Sequence, residues 1–259
     1  MTAPGHKPKD APNPDSPNWN APNFDRLARP YRWMEYLSFG RALERCRFHW
    51  LDRLRDRQQA LVLGDGDGRF TARLLAVNPT LRVHALDGSR AMLAAMTRRA
   101  QRIAAAARLT TEQADLRLWP GPGATTLSGP IDLIATHFFL DCLTTDEVAR
   151  LAQLLHAQAQ PDALWVVSEF AIPARGWIRA PAAVLVSVLY RAFRLLTGLG
   201  PQQLPLYALA LEQAGWRPYA RHEHLRGLLV SELWRKERRR GTGQVAPDPI
   251  RPDGLKTMP

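Results

Sequence analysis

The chain has 259 residues, 46% of them hydrophobic and 23% charged, and carries a formal net charge of +11. This is an ordinary globular composition, and once ragged ends are removed the length suits one α/β domain of about 200 residues or slightly more. No uninterrupted apolar stretch reaches the ~20 residues of a membrane span, and the first 22 residues, polar and rich in Pro and Asn, lack the apolar centre of a signal peptide. The two cysteines, Cys46 and Cys142, form no CxxC and no metal-ligand cluster, which favours reduced thiols, a cytoplasmic location and no bound metal. The basic excess comes mostly from arginines spread over helices, with one dense cluster at Arg235, Lys236, Arg238, Arg239 and Arg240. No aromatic-basic reader motif accompanies it, so it reads as a solvated face rather than a nucleic-acid surface.

Residues 1–22 are expected to form a disordered Pro-rich tail. From Phe24 to about Leu54, apolar residues recur at helical spacing, broken at Pro30 and at Ser38-Phe39-Gly40. With no strand to pair with, this segment (23–58) is expected to be a helical cap on an α/β body. Leu61-Val62-Leu63 then reads as a buried strand running into Gly64-Asp65-Gly66-Asp67-Gly68, with a helix from about Arg69 to Ala76. Glycines at such a turn admit positive φ and let a ligand lie against bare backbone at a helix N-terminus. The pattern is GxGxG; Arg69 stands where a dinucleotide fingerprint needs Gly or Ala.

Leu81–Leu86 is a second strand, ending at Asp87-Gly88-Ser89 before a helix opened by Met92, Leu93 and Met96. A carboxylate at that strand end can accept both ribose hydroxyls of a nucleoside, or it can cap the helix, a role Ser89 could fill instead. Leu109–Gln113 is a shorter strand ending at Ala114-Asp115-Leu116, and Ile131–His137 is a clear buried strand. Thr144-Thr145-Asp146-Glu147 looks like the cap of a helix from Val148 to Gln158. Leu164–Phe170 follows as a strand with Glu169 near its end, then a helix over Leu206–Ala214 and a strand pair over Tyr219–Arg226 and Leu228–Arg235.

The succession LVLGDGDG, ALDGSRAML, QADL, IDLIATH and ALWVVSEF, closed by Gly215-Trp216 and the terminal strand pair, resembles the class I methyltransferases that use S-adenosylmethionine. The resemblance covers about Phe24 to Lys236. It implies a Rossmann-like α/β fold: a seven-stranded, mostly parallel sheet with an antiparallel last strand, helices on both faces and the N-terminal helical cap. The methyltransferase domain would occupy 59–238, with a helical insertion at about 176–200 and a basic, Pro-rich disordered tail at 239–259. The preface Phe24-Asp25-Arg26-Leu27-Ala28-Arg29-Pro30-Tyr31 with Leu37-Ser38-Phe39-Gly40 is similar to that of the quinone-biosynthesis members.

By position, the resemblance implies that Gly64, Gly66 and Gly68 approach the methionine half of the cofactor, with Asp65 or Asp67 near its ammonium. Asp87 would hold the ribose, Asp115 and the amide of Leu116 the adenine, while His137 would lie beside the sulfonium and Tyr31 close over the methyl group. Val62 departs from the acid usual two places before the first glycine. Methyl transfer to oxygen or carbon also needs a base; His137 is the first candidate, Asp141 the second and Glu169 the third. Each has a simpler role open to it: cofactor contact for His137, helix capping for Asp141 and a satisfied core acid for Glu169. The absence of Asn/Asp-Pro-Pro-aromatic and Pro-Cys motifs favours a small or lipophilic acceptor over nucleic acid. The segment Trp177–Gly200, apolar with interspersed arginines, would cover such an acceptor, touch a membrane surface or simply pack on the sheet. A fold that has lost catalysis and serves as a cofactor-sensing or partner-binding module is the alternative.

Overall fold

A computed structural model of the protein describes residues 41–120, 129–172 and 205–237. Tyr31, both tails and the segment 176–200 lie outside the described residues, as does the first half of the expected cap, 23–40. The first element, α1 (Arg41–Phe48), is followed by a single 3-10 turn over Leu51–Leu54. Next come β1 (Gln59–Leu63), α2 (Arg69–Val77), β2 (Arg82–Asp87), α3 (Arg90–Arg102) and β3 (Leu109–Gln113). The remainder is β4 (Ile131–His137), α4 (Thr145–Gln158), β5 (Ala159–Phe170), α5 (Tyr207–Gln213), β6 (Trp216–His224) and β7 (Leu229–Lys236).

Among the described residues the strands form one sheet of order β3-β2-β1-β4-β5-β7-β6. β1 to β5 pair in parallel, while β7 is antiparallel to both β5 and β6. Chain order reverses between β1 and β4, the switch point where open α/β sheets leave a crevice at the carboxyl ends of their strands.

Central strands are apolar on successive residues because both faces are covered. Leu61, Leu63, Ile134, Trp165 and Val167 face the layer of α4 and α5, while Val62, Leu133, Ala135 and Val166 face α2 and α3. Each fully buried Leu or Val adds about 1.5–3 kcal/mol relative to exposure, before chain entropy is counted. Val62 is thus a core residue, 1% exposed. Thr144 and Glu147 form a reciprocal capping box, so α4 begins three residues before the periodic apolar run at Val148. Asp141 leaves the capping of that helix to Thr144.

Strand ends shift by one or two residues from the pattern-based reading in β1, β2 and β7, and by more in β5 and β6. β5 starts at Ala159, not Leu164, because Ala159 pairs with Ile131 ahead of a register shift at Asp162, whose φ is 65°. β6 runs from Trp216 to His224, not Tyr219 to Arg226; Leu225 and Arg226 adopt left-handed φ of 47° and 56° and end the strand in a turn. No described helix is long and apolar enough to cross a membrane.

Candidate cofactor site

The carboxyl ends of the parallel strands are joined by backbone hydrogen bonds. Gly64 N donates to Leu86 O at 2.9 Å, Ala114 N to Asp87 O at 3.1 Å and Phe138 N to Ser168 O at 2.7 Å. The glycine loop and Asp87 meet directly: the Gly66 amide donates to Asp87 Oδ2 at 3.1 Å, and the Ser89 amide to Oδ1 at 2.9 Å. Ser89 Oγ accepts from Met92 N at 3.2 Å and so caps α3, leaving Asp87 at the loop corner instead of on the helix.

The three glycines have different neighbours. A Cβ at Gly64 would lie 2.4 Å from Phe139 Cδ2, and one at Gly68 would lie 2.2 Å from Met96 Cγ. At Gly66 the nearest atom would be Met92 Sδ, at 3.9 Å. Gly64 and Gly68 are therefore required by packing, and Gly66 borders open space. Because φ is positive at both positions, Gly66→Ala is expected to cost about 1–2 kcal/mol in stability and Gly68→Ala distinctly more. Denaturant titration of the two variants checks the order.

Asp65 and Asp67 are both engaged within the protein. Buried Asp65 accepts from Thr71 N at 2.9 Å and Thr71 Oγ1 at 2.8 Å, pinning the loop to the first turn of α2. Burial raises its carboxyl to about 6, against the Thr71 bonds and the nearby Arg47 charge. A folded-state value above the ordinary 3.8 means that stability falls as pH rises from about 4 to 6, since ionisation is costlier in the folded chain. Asp65→Asn is expected to remove that decline, and urea titrations across pH 4–7 measure it. Asp67 is clasped by Arg69 Nε at 3.1 Å and Arg99 Nη2 at 2.6 Å. Burial opposes its ionisation, but the two guanidiniums outweigh burial and hold the carboxyl below its usual range.

Beyond β3, Asp115 accepts from the Arg117 side chain at 2.9 and 2.5 Å, which, against partial burial, holds its carboxyl below the usual range. The Leu116 side chain enters the core, 5% exposed, and anchors that turn.

Past β4, His137 is 2% exposed. Its Nδ1 lies 2.9 Å from Ser168 Oγ, Phe70 packs at 4.1 Å between ring centroids, and Nε2 is buried without a hydrogen-bond partner. Burial, reinforced by Arg47, holds the imidazole well below its usual range and hence neutral at physiological pH. Beside it, Glu169 Oε1 accepts from Phe139 N at 3.1 Å and Leu140 N at 2.8 Å, while Oε2 is buried without a partner. Burial and the half-buried Asp141 raise the Glu169 carboxyl well above its usual range despite those amides. Cys142 Sγ contacts Asp141 Oδ1 at 3.5 Å.

Ser168 and Arg47 were not legible as site residues. Ser168 has a weak signal, a hydroxyl inside the apolar run of β5. Arg47, whose guanidinium lies 5.2 Å from the Phe138 ring centroid, has none.

This sheet order and loop–carboxylate corner define a Rossmann-like methyltransferase fold of class I. Residues 61–164 match the family model described as a methyltransferase domain. Solved structures agree in fold. The mitomycin 7-O-methyltransferase MmcR superposes with a TM-score of 0.62 at 18% identity, over 85% of this chain and 61% of that one. A putative O-methyltransferase from Nostoc punctiforme PCC 73102 gives 0.64 at 16% identity, over 84% and 62%. An O-methyltransferase family 2 protein from Planctomyces limnophilus, solved with apigenin, gives 0.60 at 18%, over 81% and 61%. The chain thus spans about three-fifths of the length of these structures. No curated protein sequence matches it.

Proposed function

We propose that this protein transfers a methyl group from S-adenosylmethionine to a small, lipophilic acceptor. The observation that carries the reading is the Gly66–Asp87 hydrogen bond, which joins bare peptide after β1 and a carboxylate ending β2 at one corner. The residues fit the cofactor: the Gly66 position has room where a side chain would otherwise stand, and a carboxylate oxygen that accepts an amide can also accept a ribose hydroxyl. Asp87 would hold the ribose, Asp115 and the Leu116 amide the adenine. Gly64, Gly66 and Gly68 would lie along the methionine half. Asp65 and Asp67 are committed to Thr71 and to the two arginines, so in this reading they act by holding the loop, and Tyr31 remains the proposed closure over the methyl group.

When bound, S-adenosylmethionine supplies a methyl group on a sulfonium. The protein's part is to align the acceptor, exclude water and take the acceptor's proton. His137, neutral and fixed through Ser168, is the proposed base with Nε2 as the working nitrogen, and Asp141 is the second. The names of the mitomycin enzyme and of the apigenin complex favour a hydroxyl-bearing aromatic acceptor. The domain division (cap 23–58, body 59–238, insertion at about 176–200) and a cytoplasmic location, with the insertion covering the acceptor or touching a membrane surface, belong to the same proposal.

Burial of His137 under Phe70 favours a second reading, a catalytically silent cofactor-sensing or partner-binding module. Calorimetry with S-adenosylmethionine, followed by transfer of labelled methyl to a panel of phenols and quinols, separates the two. Saturable binding with turnover, and a roughly 10²–10⁴-fold lower rate in His137→Gln, is expected for the enzyme. Binding without turnover on any acceptor supports the module, and binding of a nicotinamide instead overturns both.

A further inference from the structure

Away from the glycine loop, at the last-paired edge of the sheet, β6 carries two histidines two residues apart. They pair with Ser231 and Leu229 of β7, so His222 and His224 project from one face, the face that α1 covers. α1 is fixed there by Leu43 and Cys46, which pack with Leu229, and by Cys46 Sγ donating to Val230 O at 3.3 Å. The turn ending α1 then sets His49 over the pair. Its ring stacks on His222 at 3.9 Å and 16°, and meets His224 edge-on at 5.3 Å; His222 and His224 are 4.6 Å apart. One ring nitrogen from each lies within 4.8 Å of the other two.

Packing alone leaves this cluster incompletely explained. Nε2 of His224 is buried and has no hydrogen-bond partner, an arrangement folded proteins rarely tolerate. Imidazole binds a metal ion through a neutral ring nitrogen, and three such nitrogens are gathered here.

We propose that His49, His222 and His224 bind one borderline divalent transition-metal ion, Zn²⁺ or a close analogue, clipping the end of α1 to the edge strand. Three imidazoles and a solvent ligand suit such an ion, whereas Mg²⁺ and Ca²⁺ take oxygen ligands. With metal–nitrogen bonds of about 2.0–2.1 Å, tetrahedral donors stand roughly 3.4 Å apart, so binding requires the ring nitrogens, now within 4.8 Å of one another, to draw together. His49 and His222 are exposed. Arg45, the cation that faces His224, opposes the ion's charge and limits its affinity. The same helix sends Glu44 to Arg69 at 3.2 Å and Arg47 to Phe138, so the ion steadies one wall of the candidate cofactor site while standing outside its chemistry. The assignment is independent of methyl transfer.

The test uses the full chain without an affinity tag, stripped with a chelator and titrated with Zn²⁺ by calorimetry and Co²⁺ by visible absorption. One equivalent is expected, with the absorption of a four- or five-coordinate Co²⁺ site. His49→Gln, His222→Gln and His224→Gln should each weaken binding by more than about 100-fold, beyond the 10- to 100-fold lost with an outer partner. His84→Gln and His156→Gln should leave it unchanged. Histidine ring nitrogen shifts in the unsubstituted protein need no variant: three rings should move together at one equivalent. Absence of saturable binding, binding that survives His222→Gln, or movement of other rings overturns the site.

Discussion

Asp87→Ala is expected to weaken S-adenosylmethionine binding by about 100-fold or more, while Asp87→Asn should lose less. In the folded chain this carboxylate receives the Gly66 and Ser89 amides, so it acts as the hinge between the glycine loop and α3. Hydrogen bonds to a charged acceptor are worth about 1.5–3 kcal/mol each, so losing two ribose bonds accounts for about 3 kcal/mol or more. Alanine also frees the Gly66 amide and loosens the corner, whereas Asn keeps one acceptor and the side-chain shape. Calorimetric titration gives the affinities, and thermal unfolding shows whether each variant keeps its fold. Affinity unchanged in a folded Asp87→Ala protein would remove the nucleoside from this corner, and with it the proposed chemistry.

Trp216→Ala is expected to destabilise the protein by about 3–5 kcal/mol and lower the melting temperature by roughly 10 °C or more. Trp216 opens β6 and is 0% exposed. Its Nε1 donates to Ala152 O in α4 at 3.1 Å, and its ring meets Trp165 of β5 edge-on at 5.3 Å. The indole therefore joins the edge strand, the middle of the sheet and the α4 layer, and alanine would leave a cavity and remove the bond that ties β6 to α4. Trp216→Phe keeps most of the packing and loses the bond, so a loss of about 1–3 kcal/mol is expected. Denaturant unfolding followed by circular dichroism measures both; an alanine cost below about 1 kcal/mol would show that this junction is dispensable.

Strand succession, the glycine turn and the carboxylate at the end of β2 were legible in the sequence. Buried parallel strands are apolar on both faces and so appear as short continuous runs, and Thr144 with Glu147 announces a helix start within four residues. Even the choice at Asp87 was partly visible, because Ser89 stood two residues on as another possible cap. β5 and β6 were misplaced at their ends because pairing partners set those ends: Ile131 extends one, and the left-handed Leu225–Arg226 turn stops the other.

What the sequence by itself determined is the class of sheet, its glycine loop and the candidates around it, since periodicity, caps and turn dihedrals depend on a few adjacent residues. Only the tertiary structure decided what those side chains meet: Thr71 for Asp65, Arg69 and Arg99 for Asp67, Ser168 for His137. It also brought His49 to His222 and His224 across most of the described chain. Such partnerships follow from the strand order and from the face on which each helix lands. Long-range burial sets both, so no local pattern in the chain records them.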